Sequence, residues 1–200
     1  KVFDPVLASL KHQFDKWAYL VGITWFWILG ALIFFFSAEY GHSVLNARWW
    51  TVSFLTSVIF SAGFVLGGVV CYRLSKKNNL FSYTVWVGLG ISLFLIMLIY
   101  AGGNIMNNPT DHALTVHHMF SRGWGYRLVV FSTFMLGVLS ALYIVPFYTM
   151  LQKTTPNKIL SRMFSFSSVL NAFGMMTGFL IVLCFSLIFI DFFFLLLLLV

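Results

Sequence analysis

The residues best suited to chemistry lie in one polar stretch, which contains Asp111, His112, His117 and His118. Imidazole and carboxylate groups are zinc ligands, so a cluster of them would indicate a metal site. His117 and His118 are adjacent in sequence and need not face one point, no cysteine lies nearby, and the HExxH spacing is absent. A solvated polar loop is therefore favoured over a metal site, and we expect neither a metal nor another cofactor.

Acyl transfer is the second chemistry to consider. It needs a general base beside a carboxylate, or a nucleophile with an oxyanion hole. No His-x4-Asp arrangement occurs, and neither His112 nor His117 is followed by a suitably placed acid. We therefore expect no catalytic residue in this chain, and any acyltransferase activity would belong to a separate domain.

Three polar residues lie within or beside long apolar runs. Glu39 and Asp191 fall where such runs must end, so a span end and an interfacial turn are favoured over proton-coupling sites. Asn171 differs because its amide has four hydrogen-bonding valences that need partners in apolar surroundings. Its position fits two interpretations equally well, the lining of a polar cavity and the joining of two helices.

The composition excludes an ordinary water-soluble domain. The 200 residues are 60% hydrophobic, 20% aromatic and only 8% charged, whereas soluble domains carry about a quarter charged residues. The net charge of +7 comes from short basic clusters between apolar stretches, which indicates anionic lipid headgroups rather than nucleic acid. Cys71 and Cys184 lie far apart inside apolar runs and are interpreted as small buried hydrophobes.

The apolar runs predict an all-α membrane protein. A helix needs about 20 apolar residues to cross a bilayer, and these runs are uniformly apolar rather than alternating as in a barrel strand. Residues 1–16 are predicted to be a cytoplasmic linker or interfacial helix. The transmembrane helical domain is predicted over 17–200, with spans near 17–38, 52–72, 83–101, 128–150 and 163–186 and a partial span at 192–200.

Basic residues near the span ends predict the orientation, because they remain on the cytoplasmic side. One side carries Lys1, Lys11, Lys16, Arg73, Lys76, Lys77, Lys153, Lys158 and Arg162; the other carries Arg48, Arg122 and Arg127. The N-terminus is therefore predicted to be cytoplasmic. Indole rings near the span ends are predicted to act as interface anchors, namely Trp17, Trp49, Trp50 and Trp124.

Small residues and a proline predict local packing. Gly63 and Gly67 form a GxxxG pair, which lets two helices approach closely. Pro146 lies inside the fourth span and lacks a backbone donor, so we expect a kink or an early loosening of the helix near Val145 and Pro146.

The connection after the second span resembles a loop motif of the major facilitator superfamily, Gly-x-x-x-Asp-Arg-x-Gly followed by two basic residues. Tyr72 replaces the acidic residue that usually latches the cytoplasmic ends of helices, and Ser75 replaces the second glycine. The matching residues are Gly68, Arg73, Lys76 and Lys77.

Three further stretches narrow the resemblance to the lysophospholipid transporter branch of that superfamily. They are Thr24 to Ala31, Leu142 to Gln152, and Ser161-Arg162 with Val169 to Ala172. In some bacteria such a transporter is fused to 2-acylglycerophosphoethanolamine acyltransferase and acyl-acyl carrier protein synthetase domains.

The resemblance implies the C-terminal half of a twelve-helix secondary transporter of the bacterial inner membrane. Such a transporter moves lysophospholipids, chiefly lysophosphatidylethanolamine, for reacylation, with substrate passing between two six-helix halves. The implied partners are the lysophospholipid, membrane lipids and a separate N-terminal half, without nucleic acid. Candidate cavity residues are Trp25, Trp27, Tyr143 and Asn171. The alternatives are a nonfunctional remnant, a structural membrane subunit, or the membrane portion of a fused acyltransferase.

Overall fold

A computed structural model describes residues 6, 14–75, 80–106, 114–121 and 123–187 of the chain. Several sequence predictions lie outside these residues: those for Lys76, Lys77, Asp111, His112, Arg122 and Asp191, for the partial sixth span, and for most of residues 1–16.

The described residues fold almost entirely into helices. Phe14–Glu39 continues into a π-helical turn, Tyr40–Val44, and a second π-helical segment, Leu55–Ile59, separates Trp49–Phe54 from Phe60–Ser75. The remaining α-helices are Thr84–Met106, Val116–Ser121, Trp124–Thr154 and Leu160–Leu187, with 3₁₀ turns at Leu80–Tyr83 and Asn157–Ile159. In these ranges the extended backbone pairing is a single parallel bridge between Ala47 and Leu114.

Five helical segments are long and apolar enough to cross a membrane. They are span 1, Lys16–Val44; span 2, Trp49–Leu74; span 3, Thr84–Met106; span 4, Trp124–Thr154; and span 5, Asn157–Cys184. Only 17% to 39% of the residues in their most apolar stretches are buried, so most of their surface requires an apolar solvent. The predictions of an all-α fold and of five helices long and apolar enough to cross a membrane are confirmed for the described residues.

The contacts divide the chain into two compact units. Unit 1 comprises Lys1–Leu32 and Ile144–Phe189, and unit 2 comprises Ile33–Tyr143 and Ile190–Val200. The division crosses span 4 just before Pro146. The helix continues unbroken through this proline, so Pro146 does not end it.

The core of unit 2 holds one end of spans 1 and 2 to the segment around Leu114. The backbone N–H of Leu114 donates to the Asn46 carbonyl at 2.9 Å, and the Thr51 hydroxyl donates to the Leu114 carbonyl at 2.9 Å. The buried Tyr40 hydroxyl donates to the Leu98 carbonyl at 2.8 Å. These bonds give the buried hydroxyls of Tyr40 and Thr51 acceptors inside an apolar core.

Glycines bring spans 2 and 4 into backbone contact within unit 2. A side-chain carbon at Gly63 would overlap the Phe134 carbonyl oxygen, and one at Gly67 would overlap the Val138 carbonyl oxygen. Gly137 makes the reciprocal approach to the Phe60 carbonyl oxygen. The close approach predicted from the Gly63 and Gly67 pair is therefore confirmed.

Candidate functional site

A polar cluster in unit 1 joins three spans through their side chains. Thr24 Oγ1 on span 1 donates to Asn171 Oδ1 on span 5 at 3.4 Å. Asn171 Nδ2 donates to the Tyr148 hydroxyl oxygen on span 4 at 3.3 Å, and Trp27 Nε1 donates to the same oxygen at 3.4 Å. These four residues, Thr24, Trp27, Tyr148 and Asn171, are called the polar node.

Small residues on span 5 place Asn171 within reach of span 1. Gly174 follows Asn171 by three residues and Gly178 by seven, which puts all three on one helical face. A side-chain carbon at Gly174 would lie 2.8 Å from Thr24 Cγ2, and one at Gly178 would lie 3.2 Å from the Ile28 carbonyl oxygen. Larger residues on this face would push span 5 away from span 1 and separate Asn171 from Thr24.

The hydrogen bonds leave the node with a free donor. The Tyr148 oxygen accepts two bonds, from Trp27 and Asn171, while its own O–H proton is given to none of the described residues. The Tyr148 ring stacks on Phe164, with a centroid distance of 6.1 Å and an interplanar angle of 25°. The hydroxyl is thus held in place by its neighbours and can donate to an acceptor on a ligand.

The node extends from the interior of unit 1 to its surface. Asn171 is 8% exposed and Trp27 is 36% exposed, and the side chains of Thr24 and Tyr148 are half-buried. A polar group at this depth is costly in lipid unless it is satisfied by partners. An exposed edge on such a cluster is therefore suited to binding a polar group carried by an otherwise apolar molecule.

The structure brings together two of the four residues predicted to line a cavity. Trp27 and Asn171 meet through Tyr148. Trp25 lies about 200° around the helix from Trp27; it is 54% exposed and has no hydrogen bond or ring contact within the described residues. Tyr143 is half-buried and belongs to unit 2.

The bonds to Asn171 agree with one of its two interpretations, because its amide joins span 5 to spans 1 and 4. Sequence reasoning did not single out Tyr148, the residue at the centre of the node. The depth of Thr24 and Tyr148 in the membrane could have indicated the pairing, because the start of span 1 and the end of span 4 are predicted to lie on the same side. Thr24 lies eight residues after the start of span 1, and Tyr148 lies six residues before the end of span 4. Polar side chains at similar depth in neighbouring spans tend to find one another.

Arg73, Gly68 and Glu39 belong to unit 2, and several other predicted residues lie outside the described ranges. Arg73 is exposed in the last helical turn before Ser75, and a side-chain carbon at Gly68 would meet no atom within 4 Å. The exposed Glu39 accepts a hydrogen bond from the Ser43 hydroxyl. Among the side chains that the structure describes, no group of three or more His, Cys, Asp or Glu residues could hold a metal ion.

Ser167 lies one helical turn before Asn171 on span 5 and differs from its neighbours because its buried hydroxyl is unsatisfied. Ser165, Ser168 and Thr177 each donate to the carbonyl four residues earlier, at 2.9 to 3.1 Å. Ser167 is 1% exposed, and its oxygen has no hydrogen-bond partner among the residues that the structure describes. A buried hydroxyl without a partner carries a desolvation cost of about 1 to 3 kcal/mol.

We expect Ser167→Ala to raise the free energy of unfolding by about 1 kcal/mol, because alanine removes the unsatisfied hydroxyl and leaves the backbone unchanged. Denaturant titration in mixed micelles, followed by helical circular dichroism, measures this change. Ser165→Ala is the control, because that hydroxyl already has a partner. A loss of more than 1 kcal/mol in Ser167→Ala alone would contradict the assignment of an unsatisfied hydroxyl.

These features define a class: a multi-pass α-helical membrane protein with a polar node in otherwise apolar spans. Searches for similar proteins found no match among protein-family models, curated proteins or solved structures.

Proposed function

We propose that this chain is the C-terminal half of a secondary transporter of the major facilitator type. It moves lysophospholipids, chiefly lysophosphatidylethanolamine, across the bacterial inner membrane for reacylation. The observation that carries the proposal is the free Tyr148 donor, held at the exposed edge of a polar node within apolar spans. The resemblance of Leu142 to Gln152 to the lysophospholipid transporter branch includes this residue.

The chemistry of the node suits such a substrate. A lysophospholipid carries one acyl chain and a headgroup whose phosphate oxygens accept hydrogen bonds. The Tyr148 hydroxyl donates to one of these oxygens, and the exposed ring of Trp27 beside it receives apolar parts of the molecule. Directional bonds to the headgroup and nonspecific contact with the chain would then select the class of lipid.

Transport in this proposal requires a second half. Substrate passes between two six-helix halves that rock against each other, so that the node faces each side of the membrane in turn. The distribution of basic residues supports a cytoplasmic N-terminus for this half. The 200-residue chain alone would bind substrate without completing the cycle.

Tyr148→Phe tests the node's part in the transporter. With the cognate N-terminal half co-expressed, we expect kcat/KM for labelled lysophosphatidylethanolamine to fall about tenfold, because one hydrogen bond to a charged group is lost. Tyr100→Phe is the matched control, since Tyr100 is 65% exposed on span 3 and outside the node. Equal uptake by Tyr148→Phe and the unmodified protein would contradict this role for the hydroxyl.

A further inference from the structure

Unit 2 contains an open groove that the proposed transport function does not use. Its volume is about 250 Å³, and almost all of its wall is apolar carbon. It is lined by Ile59 of span 2, by Phe120 of the short helix Val116–Ser121, and by four residues of span 4. The span 4 residues are Arg127, Val130, Phe131 and Phe134, and the whole set is called the unit 2 groove.

The groove is charged at one end and apolar along its length. Arg127 lies three residues after Trp124, whose ring is 75% exposed at the start of span 4, as expected at the headgroup level. Phe134 lies seven residues beyond Arg127, about 10 Å deeper along the helix. A cation near the membrane surface is thus followed by aromatic and aliphatic side chains toward the membrane interior.

Arg127 has unused binding capacity. Its side chain is exposed, and it has no ion pair or hydrogen bond within the described part of the chain. A guanidinium presents five donors in a planar fork that matches a phosphate group. At the edge of a bilayer, such a group is stabilised when an anion reaches it.

The order of charge and apolar surface identifies the occupant. We infer that the unit 2 groove binds a membrane phospholipid with an anionic headgroup. Its phosphate lies on the Arg127 guanidinium and one acyl chain lies against Val130, Phe131 and Phe134. A lipid presents an anion and a hydrocarbon chain in this same order along the membrane normal. A second copy of this chain is a less suitable occupant, because its 5 acidic and 12 basic residues offer few anions to pair with Arg127.

The π-helical segment of span 2 supplies the opposite wall. Leu55–Ile59 ends at the groove, where Ile59 contributes to the lining and Leu55 is buried beneath the surface. A π-helical segment changes the register of the side chains that follow it and often marks a functional position. The inference stands on unit 2 alone and is independent of transport.

The test is the lipid retained by the purified 200-residue chain after reconstitution in nanodiscs of equal parts phosphatidylglycerol and phosphatidylethanolamine. Native mass spectrometry is expected to show phosphatidylglycerol retained about tenfold over phosphatidylethanolamine. Arg127→Gln is expected to abolish this preference. Lys153→Gln, which removes one charge from the other end of span 4, is expected to preserve it.

A second pair of variants tests the apolar wall. Phe131→Ala is expected to reduce the amount of retained phosphatidylglycerol severalfold, while Phe173→Ala, which removes a similarly exposed aromatic ring on span 5, leaves it unchanged. The inference is overturned if Arg127→Gln keeps the preference or if Lys153→Gln loses it equally. Loss of a dimer instead of loss of lipid in Arg127→Gln would assign the groove to a second copy and also overturn it.

Discussion

Gly63→Ala is expected to lower the free energy of unfolding by about 3 kcal/mol. The added methyl group would overlap the Phe134 carbonyl oxygen and lie close to the Val138 nitrogen, at 3.2 Å. These are backbone atoms in a helix, so they cannot rotate away as a side chain can. Spans 2 and 4 would have to separate along their contact, which would also weaken the neighbouring approaches at Gly67 and Gly137.

Denaturant titration in mixed micelles, followed by helical circular dichroism, measures this loss. Gly68→Ala is the matched control on the same helix, because its side-chain carbon would meet no atom within 4 Å; alanine there should be neutral or slightly stabilising through its helix propensity. Gly137→Ala should behave like Gly63→Ala, since its side-chain carbon would lie 2.9 Å from the Phe64 nitrogen. Equal stabilities of the Gly63 and Gly68 variants would contradict the backbone contact.

Asn171→Leu is expected to reduce lysophosphatidylethanolamine uptake by the paired halves at least tenfold. Leucine has a similar size but no hydrogen-bonding groups, so Thr24 loses its acceptor and the Tyr148 oxygen loses one of its two donors. Trp27 is then the one remaining donor of the node that orients the Tyr148 hydroxyl. The free energy of unfolding should fall by only about 1 kcal/mol, because hydrogen bonds between membrane helices contribute modestly.

Asn104→Leu provides the control for this variant. Asn104 lies in span 3, is exposed, and donates to the Tyr100 carbonyl at 3.2 Å within its own helix. Uptake and unfolding are measured on the same preparations. A fall in uptake that matches the fall in folded protein, or equal losses in the two variants, would give Asn171 a purely structural role.

The sequence was sufficient to predict the five long apolar helices of the described residues, because a membrane requires long, uniformly apolar helices. Their ends were less predictable. Span 1 was expected to end near residue 38 but extends to Val44 through a π-helical turn, and span 4 extends from Trp124 to Thr154 rather than over 128–150. Polar residues at the headgroup level can remain helical, because the backbone N–H and C=O groups of a helix bond to one another in water as well as in lipid.

Packing partners were harder to predict than packing residues. The Gly63 and Gly67 pair indicated a close helix contact, but its spacing contains no information about the opposing helix, which contributes Gly137. The π-helical segment Leu55–Ile59 has no sequence marker comparable to a proline or a cap. Such features depend on how two surfaces fit together, which a single sequence does not specify.

In the polar node, too, one residue could be predicted from the sequence and its partner could not. Asn171 was recognised because a buried amide must find partners, whereas Tyr148 was hidden among the many aromatic residues of an apolar span. Trp25 and Trp27 were proposed together, although residues two apart on a helix face nearly opposite directions. Helical periodicity alone therefore argued against one site containing both rings. The hydrogen bond from Trp27 to Tyr148 shows that Trp27 is the tryptophan that belongs to the polar node.

The most direct test of the proposed function is uptake of labelled lysophosphatidylethanolamine into proteoliposomes. The 200-residue chain is reconstituted alone and together with a cognate N-terminal six-helix half. A half-transporter predicts uptake only when both halves are present. Absence of uptake from the pair, with both halves folded and inserted, would contradict the transporter and favour a structural subunit or a nonfunctional remnant.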